Sequence, residues 1–89
     1  MSITPSKRLF NTLLQAQADG KNLNVWIHNI MTRLQLEGCY IGYLPFTKTV
    51  SIRQNGHVIG DGPDGSYEPW LDALKFIVAR ERLKGRHGI

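Results

Sequence analysis

Apolar residues in the first third of the chain recur at three- and four-residue intervals, the mark of helices that bury one face. Leu9, Phe10, Leu13 and Leu14, continued by Gln17, predict a first helix over residues 6–18, with Pro5 near its start. Asp19-Gly20 ends it, the glycine tolerating the left-handed conformation that closes a helix. Leu23, Ile27, Ile30 and Leu34 predict a second helix, widened by Trp26 and Met31, capped by Asn22 and closed by Gly38. Leu23, Val25 and Ile27 also alternate as a strand would, so the pattern leaves open whether residues 22–37 are wholly helical.

From Cys39 the period changes. Tyr40, Ile41, Tyr43 and Leu44 suit a short strand ended by Pro45, and two further strands, 49–54 and 57–60, flank Asn55-Gly56. That dipeptide supplies the two positive-φ positions of a tight hairpin. A two-residue loop pairs Gln54 with His57, Arg53 with Val58 and Ile52 with Ile59. The register puts Val50, Ile52 and Ile59 on the core side and turns Arg53 away beside Val58. A last helix begins near residues 67–69 and runs to about Leu83, with Trp70, Leu71, Leu74, Ile77 and Val78 on its packing face. Glu68 and Asp72 in its first turn, and Arg80 and Arg82 in its last, suit the two ends of the helix dipole. The expected fold is one α+β domain over residues 1–89: two N-terminal helices, a small antiparallel sheet and a closing C-terminal helix.

Eighty-nine residues exclude a Rossmann enzyme, a barrel or two independent domains. With 42% hydrophobic and 20% charged residues the chain is a folding sequence, not a disordered one. Cys39 is its single cysteine, which removes the intramolecular disulfide as a staple and favours a cytoplasmic setting. No signal-peptide pattern and no membrane-spanning run is present in the sequence, so no membrane partner is expected.

The net charge of +4 is divided. Residues 1–60 carry six bases and two acids, residues 61–74 carry Asp61, Asp64, Glu68 and Asp72 with no base, and residues 75–89 carry five bases against Glu81. Two binding surfaces follow. An acidic loop with Asp61, Asp64, Tyr67 and Glu68 suits a basic surface on a protein partner. Arg53, Lys75, Arg80, Arg82, Lys84 and Arg86 suit a phosphate backbone, the alternative reading as a nucleic-acid-binding module.

Reactive chemistry finds little support. Gly60-Asp-Gly-Pro-Asp-Gly65 spells G-x-G-x-x-G, but Asp61 and Asp64 would repel a pyrophosphate and Pro63 has no amide to offer it. A turn-rich connection that uses glycine for its dihedral freedom explains the segment. The same aspartates lack the alternating oxygens and terminal glutamate of a calcium loop. Cys39, His28, His57 and His87 lack zinc-ligand spacing, so no metal and no cofactor are expected. A Cys39–His57 nucleophile pair would need the two to meet in space; a small core cysteine and a solvated turn histidine are the plainer expectation, and no enzyme is expected. The apolar run from Leu23 to Met31 does not suit a helix that reads a DNA groove.

Residues 49–62, followed by Ser66 and a long helix, are similar to the later strands and last helix of double-stranded-RNA-binding domains, over about half the chain. The resemblance implies a β-β-α unit and lysines at the start of the last helix to grip phosphates. Tyr67, Glu68 and Pro69 stand at those positions. Tyr40, Tyr43, Phe46 and Tyr67 cluster near the strands and the acidic segment, an amphipathic contact surface where exposed. A chain of this size without cofactor chemistry resembles the small accessory regulators and inhibitors of phages and mobile elements. The expected function is therefore a non-enzymatic binding protein whose partner is a protein, a homodimer being compatible with the same sequence.

Overall fold

The computed structural model describes residues 3–87. Helix α1 (Pro5–Ala18) starts from Thr4, whose hydroxyl accepts from the Lys7 N–H, and is followed by Gly20 at φ 77°. The second helical segment opens as a 3-10 turn, Leu23–Trp26, held by the Asn22 side chain accepting from the Asn24 N–H. It becomes α2 at Ile27–Leu36, and Gly38 at φ 83° follows. The ambiguous stretch is thus helical from Leu23 to Leu36, its tighter first turn set by the asparagine cap.

Three strands, β1 (Tyr40–Leu44), β2 (Thr49–Gln54) and β3 (His57–Pro63), form an antiparallel sheet in the order β1-β2-β3. Asn55 at φ 54° and Gly56 at φ 80° make the β2–β3 turn, as their dipeptide predicts. Helix α3 (Glu68–His87) continues past the expected end at Leu83. It packs on β3 and β2, and α1 and α2 pack against it. The shortest dimension, 16 Å, is that of a helix layer on a sheet.

The hairpin register departs from expectation at one place. Gln54 pairs with His57 and Arg53 with Val58, but a bulge between Ile52 and Arg53 pairs Ile52 with Gly60 instead of Ile59. Ile59 is the extra residue, and it is buried together with Val50 and Ile52. The bulge has a clear function. Without it, alternation would turn Asp61 into the core beside Val50 and Gly60 out to solvent. With it, Asp61 stays exposed opposite Ser51, and Gly60 and Gly62 lie beneath α3.

Those glycines correct the turn reading of residues 60–65, because β3 continues through Pro63. A Cβ on Gly60 would collide with the Pro69 carbonyl oxygen and lie 3.2 Å from the Ala73 Cβ. A Cβ on Gly62 would lie 3.3 Å from Pro69 Cδ. Both glycines let helix and strand approach closely; Gly65, at φ 90°, is the one that uses the left-handed region. The core gathers Leu13, Leu23, Ile30, Leu34, Val50, Ile52, Ile59, Trp70, Leu74 and Ile77, drawn from every element except β1. Ile41 of β1 packs against its margin.

Candidate binding surfaces

The sheet has one covered face and one bare face. Successive strand residues alternate between them, so Val50 and Ile52 meet the helices while Tyr40, Arg53, Val58 and Asp61 point the other way. Tyr40 is 72% exposed and Val58 52%. On the covered side α3 lies over β2 and β3, which leaves Tyr43 of β1 more than half exposed.

The four-residue connection from β1 to β2 projects Phe46 fully into solvent, with Leu44 and Lys48 also exposed. Lys48 adopts φ 54°, and its carbonyl accepts from the Asp64 N–H at 2.9 Å. This bond ties the aromatic turn to the acidic segment that follows β3. Glu68 opens α3, its N–H donating to the Ser66 hydroxyl. Of the predicted acidic set, Asp61, Asp64 and Glu68 are exposed, while Tyr67 is half-buried against the core. Asp61 belongs to a strand, not to a loop, and faces the bare side of the sheet.

The predicted basic set is dispersed. Arg53 lies on the bare sheet face, whereas Lys75 and Arg82 are exposed on α3 across the sheet. Arg80 is engaged internally: its Nη1 donates to Gln54 Oε1 at 2.8 Å. The side chains of Lys84 and Arg86 lie outside the described residues. At the start of α3, where the RNA-binding resemblance implies lysines, Pro69 is buried against the strand glycines.

Gln54 is the hinge of a network that sequence reading missed. Its amide donates to the Glu37 carbonyl at 3.0 Å while its oxygen takes Arg80, joining the β2–β3 hairpin to the end of α2 and to α3. The Glu37 carboxylate in turn accepts from the fully buried Ser6 hydroxyl at 2.8 Å and pairs with Arg33 at 3.4 Å. An open cleft of about 280 Å³ lies over this network, lined by Glu37, Gln54, Ile77, Arg80 and Glu81. No spacing rule could have found it, since its members are 26 and 17 residues apart and meet only through the fold.

Cys39 and His57 do not meet as a dyad. Cys39 precedes β1 and His57 begins β3, on opposite sides of β2. Burial pushes the Cys39 thiol above its ordinary pKa, and the Glu37 carboxylate adds to the shift. That direction is the reverse of the one that activates a nucleophilic thiolate. Among the described residues, no group of three His, Cys, Asp or Glu side chains is placed to hold a metal ion. None of the described helices is long and apolar enough to cross a membrane. Comparison with known protein families, with curated proteins and with solved structures finds no match.

Proposed function

We propose that the chain is a non-enzymatic binding protein, a regulator or inhibitor in character, which grips a basic surface of a protein partner with the corner where Phe46 meets the acidic segment. The observation that carries this reading is the pairing of a fully exposed aromatic with exposed carboxylates on one braced corner. A bare phenylalanine at a turn tip costs solubility in a free chain and suits insertion into an apolar pocket. Asp64, tied to the same turn, and Glu68, which follows at the start of α3, would speed and orient the encounter with a cationic rim. The Asp64–Lys48 backbone bond holds the two parts in fixed relation, which lowers the ordering cost of binding.

The nucleic-acid alternative draws support from the net charge of +4. The dispersal of Arg53, Lys75 and Arg82 over two sides of the sheet, and the capture of Arg80 by Gln54, favour the protein partner. The test is capture from a host extract by the wild-type chain, by Phe46→Ala and by the double reversal Asp64→Lys, Glu68→Lys. Loss of a specific protein partner in both variants, with the fold intact by circular dichroism, is the expected result. Retention by both variants overturns the reading.

A further inference from the structure

We propose that the bare face of the sheet pairs with the same face of a second copy of this chain, the two sheets crossing at near right angles. The proposal is independent of the Phe46 corner. Rows of residues run across the three strands, and the register fixes them: Tyr40, Arg53 and Val58 in one row, Ser51 and Asp61 in the next. Leu44, Thr49 and Pro63 make the third. Arg53 therefore lies one row along the central strand from Ser51, and Asp61 lies one strand across from it.

An in-plane two-fold axis running diagonally through Ser51 exchanges those two positions. It sets each Arg53 over the second copy's Asp61, twice per dimer. The same operation lays Tyr40 over the second copy's Pro63 and brings Val58 and Leu44 onto the axis against their own counterparts. A surface that matches itself under a two-fold is what an isologous dimer needs, and a right-angle crossing is one of the two ways sheets stack. The spacings differ, about 4.8 Å between strands and roughly 6.7 Å between rows. A flexible arginine absorbs that mismatch.

Two further observations favour a second copy as the occupant. Arg53 and Asp61 are exposed, and the salt bridge found among the described residues is between Arg33 and Glu37, so neither is ion-paired with another described residue. The face also carries one positive and one negative group in a chain of net charge +4, so two such faces meet without net charge repulsion. Its area, about 14 by 17 Å, is well below what stable specific interfaces bury, so the dimer is a weak and transient one that forms only at high concentration.

Sedimentation velocity over a concentration series, with the full chain, tests this. The wild type should shift reversibly from monomer to dimer. Arg53→Asp alone and Asp61→Arg alone should each raise the dissociation constant by at least about tenfold, because both ion pairs become repulsions. An equimolar mixture of the two variants should restore the dimer, since every crossing then joins opposite charges. A wild type that stays monomeric, or a mixture no tighter than its components, overturns the proposal. Should either variant lose its fold by circular dichroism, amide chemical shifts of the wild type on dilution decide. Changes at Tyr40, Val58 and Leu44 support the interface, and changes confined to other surfaces contradict it.

Discussion

Gly60 lies directly beneath Pro69, the proline's carbonyl oxygen filling the space that a β-carbon at position 60 would occupy. Helix α3 can settle on β3 only because that strand position has no side chain. Gly60→Ala should therefore push the helix off the sheet and destabilise the fold by roughly 2–4 kcal/mol, in the range of severe overpacking. Gly62→Ala, with its Cβ at 3.3 Å from a proline ring that has some freedom to yield, should cost less. Urea denaturation of both variants checks the order; equal and negligible losses would contradict the packing.

Gln54 should matter more than a polar residue at a hairpin end usually does. Removing its side chain in Gln54→Ala leaves the half-buried Arg80 guanidinium and the Glu37 carbonyl each short of a partner. A loss of about 1–3 kcal/mol is expected. In a double-mutant cycle with Arg80→Ala the two losses should fall short of additive, as they do for residues that share a bond. Full additivity would mean that the Arg80–Gln54 bond is not formed.

The Cys39 thiol gives the pH dependence. Its pKa is raised in the folded chain, chiefly by burial and then by Glu37, so the folded state holds this proton more tightly than the unfolded state does. The contribution is fully present below the ordinary thiol pKa and is lost as pH rises through the folded value. Stability should fall across that alkaline window in the wild type, and the Cys39-dependent part of the fall should vanish in Cys39→Ala. At neutral pH the thiol should react with iodoacetamide more slowly than a free cysteine. Faster alkylation than free cysteine would contradict the burial.

Much of this architecture was legible in the chain, and the exceptions share a cause. Leu9 to Leu14 and Leu23 to Leu34 announce their helices because burial on one face imposes a period. Asn55-Gly56 announces its turn because few residue pairs accept two positive φ angles. The bulge at Ile59 was not legible, since it exists to seat Gly60 and Gly62 under a helix that follows later in the chain. The acidic segment was recognised as a charge block, yet its assignment to a loop failed at Asp61 for the same reason. Arg80 counted as a basic-surface residue until the fold brought Gln54 to it. Phe46 was visible as one aromatic among four; only the geometry of the β1–β2 turn sets it apart from Tyr67, which the core takes up.

Binding to nucleic acid provides a separate check on the charge argument. With Arg53 on one side of the sheet and Lys75 and Arg82 on the other, the chain should leave the mobility of duplex DNA and RNA unchanged at physiological salt. A shift at that salt that disappears steeply as salt rises would reinstate the phosphate-binding reading.

The most direct measurement is site-specific photo-crosslinking in a host extract, with the reactive side chain placed at position 46 and, as control, at the exposed α1 position Asn11. The account predicts a discrete protein adduct from position 46, identified by mass spectrometry as a protein other than this chain. That adduct should weaken when Asp64 and Glu68 are reversed to lysine. Equal labelling from both positions, or a nucleic-acid adduct from position 46, would contradict it.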